Sequence, residues 1–94
     1  MKNIIYSAHL EFRLGLRQIS HSLPLKIYQT SREHYYDKST GKNVAVQKVR
    51  FKGKTREMAV AYEQKLDRII IITIHPLKTL QKTHRIRSGR WQEI

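Results

Sequence analysis

Four of the five histidines are the side chains best suited to moving protons, since imidazole gains and loses a proton near neutral pH. These four are His9, His34, His75 and His84. His9 precedes Arg13 by four residues, a spacing that places both side chains on one face of a helix. A proton carrier beside a permanent cation suits phosphate chemistry. The same pair also suits a structural role, with the histidine bonded to backbone and the arginine paired with Glu57 or Glu63.

A run of cations is the second candidate feature. Lys48, Arg50 and Lys52 alternate with apolar residues, which predicts a strand that presents three cations on one face. Strand residues two apart stand about 6.5–7 Å from each other, close to the spacing of successive nucleotides in a single strand. Lys54 and Arg56 extend the run, and no carboxylate interrupts it between residues 48 and 56. The run predicts a phosphate-binding surface in preference to an ordinary solvated sheet face.

These residue types match the needs of metal-independent RNA cleavage. In that reaction the 2′ hydroxyl is an internal nucleophile, so a base, an acid and cations for the developing charge are required. The sequence predicts that His9 or His34 moves the protons and that Arg13 and Arg50 hold the phosphate. His75 stands directly before a proline at a strand end, so a simple edge position is the better interpretation for it.

Other enzyme chemistries find little support in the residue pattern. The seven acidic residues are scattered and form no cluster suited to a two-metal nuclease. The histidines lack the spacing of a zinc site, and no glycine-rich phosphate loop is present. With no cysteine, the chain has neither a disulfide framework nor a thiolate ligand. We expect no metal and no cofactor.

Charge dominates the composition. The 94 residues carry 19 Lys and Arg against seven Asp and Glu, a formal net charge of +12. A small domain with this excess repels itself, which favours a polyanionic partner such as nucleic acid. The longest apolar run, residues 69–72, is too short to cross a bilayer, and no stretch of signal-peptide length follows the first residues. We expect a single cytoplasmic domain over residues 1–94 with no membrane contact.

The C-terminal segment is a basic tail from about residue 77. It contains five Lys and Arg between residues 78 and 90, and no acid before Glu93. The pattern predicts an arm that contacts nucleic acid or a segment that binds a protein partner, with a solvated terminus as the simpler interpretation. Trp91 argues against the simpler one, because an aromatic side chain usually packs against something. The nucleic-acid-binding candidates in the tail are Lys82, Arg85, Arg87 and Arg90.

Local patterns outline the elements that carry these residues. Residues 2–6 fit a short strand, Ser7 is a good N-cap for a first helix, and Pro24 fits the first turn of a second one. Alternation and apolar runs then predict strands near residues 32–37, 47–52, 58–62 and 68–75. The predicted fold is therefore α+β, with two N-terminal helices packed on one face of an antiparallel sheet of about four strands.

The chain resembles a small prokaryotic family known as a domain of unknown function. The resemblance covers most of the chain and is carried by three short motifs. They are Ser7-x-His9-x-x-x-Arg13 with Arg17-Gln18-Ile19-Ser20 after it, the strand Ile71-Ile72-Thr73-Ile74, and Gly89-Arg90-Trp91. In length, order of elements and charge such domains are similar to the RelE/ParE superfamily of toxins, including its BrnT branch.

That resemblance implies a toxin of a toxin–antitoxin pair. The implied activity is a metal-independent mRNA endoribonuclease, either free or acting on ribosome-bound mRNA, held inactive by an acidic antitoxin protein. A homodimer is a further expectation. The superfamily has no universal catalytic motif, so no fixed set of catalytic residues carries over to this sequence.

Two alternatives share the same basic surface. One is a non-catalytic RNA- or DNA-binding module in which the histidines are structural. The other is a ParE-like inhibitor that binds a large protein such as a topoisomerase.

Overall fold

The computed structural model describes residues 3–94, so Lys2 of the predicted first strand lies outside the described residues. The elements follow one another as β1 (Asn3–Tyr6), α1 (Ala8–Arg17), α2 (Leu23–Thr30), β2 (Glu33–Asp37), β3 (Lys42–Phe51), β4 (Lys54–Gln64), β5 (Arg68–Pro76), α3 (Gln81–Arg87) and β6 (Trp91–Glu93). The strands form one sheet in the order β1-β5-β4-β3-β2-β6. No helix among the described residues is long and apolar enough to cross a membrane.

The prediction of two N-terminal helices on a four-stranded antiparallel sheet is wrong. The sheet has six strands and is mixed, because β1 runs parallel to β5 while the other neighbours are antiparallel. A third helix, α3, lies near the C-terminus. The two missed edge pairings involve strands of four and three residues, which are too short to give a periodic signal. Their pairing depends on tertiary contacts that local pattern does not encode.

Both faces of the sheet are covered, which gives the protein two apolar cores. On the first face α1 and α2 pack through Leu10, Leu14 and Ile27 against strand residues such as Val60 and Ile71. The second core lies on the opposite face and takes in the C-terminal segment. Its buried members are Tyr35, Val44, Val46, Ala59, Leu77 and Trp91. The predicted tail is therefore part of the folded domain, since Leu77 and Trp91 are buried and β6 pairs with β2.

The first helix is held at the edge of the sheet by its cap. The Ser7 hydroxyl accepts a hydrogen bond from the Leu10 N–H at 3.1 Å and donates to the carbonyl of Ile72 at 3.3 Å. The backbone N–H of Ser7 donates to the Ile71 carbonyl at 2.9 Å. Because β1 ends at Tyr6, opposite Ile71, the chain leaves the sheet here and α1 begins. The cap therefore fixes α1 beside the second half of β5.

A β-bulge interrupts β5 at the same place. Tyr62 of β4 pairs with Ile71, but the preceding residue Ala61 pairs with Thr73, so Ile72 is an extra residue. A bulge of this kind shifts the alternation of side chains by one position. As a result Ile71 and Ile74 both face the first core although they are three residues apart.

Strands β3 and β4 extend beyond their neighbours. β2 pairs with β3 only as far as Val46, and β5 pairs with β4 only from Met58. Residues 47–57 therefore form a two-stranded hairpin, which we call the basic ribbon. Its two-residue turn has positive φ at both Lys52 (51°) and Gly53 (80°), as a type I′ turn requires. That turn matches the twist of the strands and makes the hairpin well defined.

Candidate nucleic-acid interface

The basic ribbon concentrates exposed positive charge. It carries five cations within nine residues, all exposed, and these are Lys48, Arg50, Lys52, Lys54 and Arg56. Within residues 3–94, none of the five forms an ion pair with a carboxylate. Side chains in this state are available to bind phosphate, since no internal partner competes for them.

The register divides these cations between the two faces of the ribbon. Arg56 lies opposite Val49 and therefore on the face of α1 and α2, together with Lys54, which lies opposite Phe51. Lys48 and Arg50 point to the other face, because their neighbours along the strand alternate. The single continuous stripe expected from the sequence is thus replaced by charge on both faces, since β4 runs back antiparallel to β3.

Two further features of the ribbon differ from the sequence-based picture. Lys52 occupies the turn instead of the strand face, and its Nζ lies 5.4 Å from the centre of the Phe51 ring. Glu57 lies directly opposite Lys48, so a carboxylate does stand beside the cations. That carboxylate is already bound, however, because its Oε2 lies 2.9 Å from the Nζ of Lys82.

Two of the predicted tail cations are occupied by ion pairs. The Lys82 ammonium lies 2.8 Å from Glu33 as well as 2.9 Å from Glu57, and the hydrogen bond to Glu33 raises the pKa of Lys82 above its ordinary value. Arg90 donates from Nε and Nη2 to the two oxygens of Asp37, at 2.9 and 3.1 Å. Both side chains tie the C-terminal segment to the sheet, which reduces their value as phosphate contacts.

The other two tail candidates differ from each other. The Arg85 guanidinium stacks over the Trp91 ring, 5.5 Å from its centre, and is partly buried. Arg87 is exposed on α3, and no ion pair involves it among the described residues. Of the four, Arg87 is the one most open to a partner.

His34 is built into an aromatic cluster. Its Nδ1 lies 2.7 Å from the Tyr62 hydroxyl, and its ring packs edge-on against Tyr28 and Tyr62 at 5.9 and 5.7 Å. His34 lies opposite Ala45, which belongs to the first core, whereas Arg50 faces the other side of the sheet. These contacts support a packing role for His34 and separate it from the predicted phosphate-binding Arg50.

His9 and Arg13 lie instead at a cleft between α1 and the second half of β5. The cleft has a volume of about 340 Å³ and is lined by His9, Leu10, Arg13, Arg17, Ile72, Thr73, Ile74 and His75. No carboxylate is among these lining residues. The pairing of Arg13 with Glu57 or Glu63 is not found, because Glu57 binds Lys82, and Glu63 binds Lys42 and Lys65.

Two residues of this cleft had no assigned site at the sequence level: Arg17 had no functional role, and His75, one of the four candidate proton carriers, was interpreted as an edge position. Arg17 follows Arg13 by four residues and His9 by eight, so the three side chains form one stripe along α1. That spacing was visible in the sequence. The position of His75 was not, because it depends on the bulge in β5 and on the early end of β1. The four predicted catalytic residues thus lie in three places, and only His9 and Arg13 share a site.

His75 has an environment that favours its neutral form. Burial lowers the pKa of the His75 imidazole, and the positive charges of Arg85 and Arg17 lower it further. At neutral pH an imidazole with a lowered pKa is free to accept a proton. In the part of the chain that the structure describes, no three His, Asp or Glu side chains are grouped so that they could hold a metal ion.

Comparison with known proteins adds no relative from which a role could be transferred. No protein-family model matches the chain, and comparisons with curated proteins and with solved structures find no match. The similarity to the RelE/ParE superfamily therefore stays a prediction, and a functional assignment depends on the residues described above.

Proposed function

We propose that this protein binds nucleic acid, with RNA as its partner, and that the basic ribbon is the main contact. The observation that carries the proposal is the group of five exposed cations, none paired with a carboxylate of residues 3–94, on a hairpin that extends beyond its neighbouring strands. The net charge of +12 supports it, since such a charge speeds the encounter with a polyanion and binding releases condensed counterions. The choice of RNA over DNA draws on the resemblance to the toxin superfamily.

The shape of the ribbon also supports a nucleic-acid contact. A two-stranded hairpin is narrow, and its side chains project to both sides, so phosphates can be reached from each face. B-DNA admits such a ribbon into its major groove, whereas the major groove of an RNA helix is too narrow for side chains to read. On RNA we therefore expect the ribbon to follow the backbone of a single-stranded or loop region, where cations bind without reading sequence.

The test is the salt dependence of RNA binding. Fluorescence anisotropy with a labelled single-stranded RNA gives the dissociation constant over a series of salt concentrations. Each phosphate contact contributes about 0.7 to the slope of log K against log salt for a single strand. The double variant Lys48→Gln, Arg50→Gln is expected to reduce that slope by about 1.4 and to weaken binding at every salt concentration.

The control for this test is Lys38→Gln with Lys65→Gln, which removes the same charge at the opposite end of the sheet. It is expected to leave the slope nearly unchanged. An equal loss in both double variants would mean that net charge alone, and not the ribbon, accounts for binding. A duplex DNA of the same length measures the preference for RNA, and tighter binding to DNA would contradict that part of the proposal.

A second candidate function is a toxin controlled by an acidic protein partner. It is favoured by an apolar stripe on the outer side of α1, where Phe12 and Leu16 are 66% and 67% exposed. These residues are one turn apart and lie beside Arg13 and Arg17. A second copy of this chain would bring a further charge of +12, so we propose an acidic amphipathic helix as the occupant of this stripe.

A further inference from the structure

The cleft between α1 and the second half of β5 carries a second group of cations, separate from the basic ribbon. We propose that this cleft binds a phosphomonoester, the terminal phosphate of a 5′-nucleotide, whether that nucleotide is free or forms the 5′ end of an RNA. The inference goes beyond the proposed function, because a free nucleotide would occupy the cleft without touching the ribbon. It also gives a role to Arg17 and His75, which the sequence alone did not place in a site.

The positive side chains of the cleft form one row along α1. His9, Arg13 and Arg17 follow one another at four-residue spacing, so they lie one turn apart on the same side of the helix. Neither arginine forms an ion pair with any of the residues 3–94, and none of the residues that line the cleft is acidic. Both guanidinium groups are therefore free to donate pairs of hydrogen bonds to the oxygens of one phosphate.

The number of cations favours a terminal phosphate over a phosphate inside a chain. A phosphomonoester carries about 1.5 to 2 negative charges at neutral pH, whereas each phosphate within a nucleic-acid chain carries one. Arg13 and Arg17 supply two permanent positive charges, and no carboxylate of the lining offsets them. A terminal phosphate balances both guanidinium groups, and an internal phosphate would leave one of them without a counter-charge.

One end of the cleft is blocked, which also favours a chain terminus. The Ser7 N–H donates to the Ile71 carbonyl at 2.9 Å and the Ser7 hydroxyl donates to the Ile72 carbonyl at 3.3 Å, so the connection from β1 to α1 joins the helix to the strand there. Beyond this connection, no strand of residues 3–94 lies on the outer side of β5. A nucleotide can enter from solvent along residues 72–76, but a polymer cannot continue between α1 and β5 past Ser7.

The walls of the cleft suit the organic body of a nucleotide. Leu10 and Ile74 are buried and Ile72 is half-buried, so helix and strand both give the cleft apolar surface beside its arginines. Its volume of about 340 Å³ lies at the lower end of the range for small-molecule sites, which fits one nucleotide and not a folded RNA. A phosphate ion alone would leave the apolar walls uncovered.

His75 stands beside Arg17, at the end of the cleft away from Ser7. Burial lowers the pKa of the His75 imidazole, and the charges of Arg85 and Arg17 lower it further, which keeps the ring neutral at pH 7. A neutral imidazole offers one donor nitrogen, one acceptor nitrogen and a flat face on which a base can stack. We therefore expect the phosphate between the two arginines of α1 and the base toward His75.

Isothermal titration calorimetry of the full chain with AMP tests the site. The wild-type protein is expected to bind AMP more tightly than adenosine or inorganic phosphate, because only AMP supplies both the charge and the organic body. Arg13→Gln and Arg17→Gln should each weaken AMP binding at least about 10-fold, since each removes charge-assisted hydrogen bonds to the phosphate. The double variant should weaken it at least about 100-fold.

The matched control is Lys38→Gln with Arg68→Gln, which removes two exposed cations at the end of the sheet away from the cleft. It should bind AMP as the wild type does, and so should the ribbon variant Lys48→Gln, Arg50→Gln. Both arginines of the cleft are exposed, so their replacement leaves the cores intact, and thermal unfolding of each variant checks this directly.

A second comparison identifies the source of the phosphate. His75 pairs with Ala59, which pairs with Val46 two residues before Lys48, so the cleft lies at the ribbon end of the sheet. A short single-stranded RNA with a 5′ phosphate is therefore measured against the same RNA with a 5′ hydroxyl. A preference for the phosphorylated RNA that disappears in the double variant would identify an RNA end as the ligand. Equal binding of the two RNAs, together with AMP binding, would identify a free nucleotide.

Two results would overturn the assignment of the cleft. One is the absence of AMP binding together with equal affinity for the two RNAs, and the other is AMP binding that the double variant leaves unchanged. Inorganic phosphate bound as tightly as AMP would overturn the role given to the apolar walls. Failure to bind RNA with AMP binding intact would instead contradict the proposed function and leave this site in place.

Discussion

At the scale of single residues, the ion pair between Asp37 and Arg90 holds the C-terminal segment to the sheet. Asp37 is the one buried acidic residue among those described, with 3% of its surface exposed. Burial alone would raise the pKa of its carboxyl, but the hydrogen bonds from Arg90 and from the Ser39 N–H outweigh that effect and lower the pKa to about 2. A buried carboxylate held by a two-pronged guanidinium fixes β6 to the sheet.

This pair predicts a specific dependence of stability on pH. A pKa that is lowered from 3.8 to about 2 on folding stabilises the folded state by about 2 kcal/mol above pH 4, and the gain is lost as the pH falls from 4 towards 2. Asp37→Asn is therefore expected to lower the free energy of unfolding by about 2 kcal/mol at neutral pH. Urea unfolding of both proteins at several pH values measures the difference.

The difference between the two proteins should shrink below pH 4, because the wild-type carboxyl then becomes protonated. Glu93→Gln, which removes an exposed carboxylate from the same end of the chain, is the control and should change little. A constant difference from pH 7 to pH 2 would show that the Asp37 charge is not what holds the segment.

Part of the candidate site could be predicted from residue types and their spacing alone. The cations of the basic ribbon and the pair His9 and Arg13 were visible in the sequence, because their types and spacing are local information. The grouping of His75 with them was not, since it arises where β1 stops and β5 bulges. Arg90 looked like a free cation for a similar reason, because its partner Asp37 is distant in sequence.

At the scale of elements, the outer side of α1 carries an exposed apolar stripe of the kind that a protein partner covers. Leu10 and Leu14 bury one side of the helix in the first core, while Phe12 and Leu16 remain in solvent on the other. An isolated exposed leucine would need no explanation, but two large apolar side chains one turn apart form a continuous stripe. The helix therefore has two apolar surfaces: one is buried against the sheet, and the other lies on part of its outer side.

The acidic-partner hypothesis predicts a clear effect of this stripe. If a short neighbouring reading frame encodes an acidic, helix-forming protein, its co-expressed product should form a stable complex with the wild-type chain. Phe12→Asp with Leu16→Asp should weaken that complex at least about 100-fold by isothermal titration calorimetry, because charge replaces buried apolar contact and repels the partner.

The control for this prediction must leave Lys82 in place, because Lys82 holds two ion pairs; this rules out a double variant such as Thr79→Asp with Lys82→Asp. Lys38→Asp with Ser39→Gly changes the surface far from α1 and should bind normally. Unchanged affinity in the α1 variant would contradict the docking site, and so would the absence of complex formation with an acidic neighbour.

Some of the elements could be predicted from this sequence, and the pairing of others could not. The Ser7 cap predicted α1 and the alternation of residues 47–52 predicted part of β3, because caps and period-two patterns are local signals. The pairing of β1 with β5 and of β6 with β2 joins residues far apart in sequence, and their short strands carry no alternation of their own. Such contacts are fixed by packing of the whole domain.

At the scale of the whole molecule, the sheet separates two apolar cores. Its first face carries α1 and α2 over the larger core, and its second face carries the C-terminal segment over the smaller one. The basic ribbon extends beyond the paired parts of β2 and β5 at one end of the sheet, and the α1–β5 cleft opens at the neighbouring edge. Both groups of cations are thus carried by the same sheet.

The most direct test of the central claim is an NMR titration of the isotope-labelled protein with a short single-stranded RNA. We predict that the largest changes in backbone amide shifts fall on the basic ribbon, residues 47–57, with smaller changes around the α1–β5 cleft. The turn at the opposite end of the sheet, residues 38–41, should change least. Shifts spread evenly over the surface, or confined to the outer side of α1, would contradict the claim that the ribbon binds RNA.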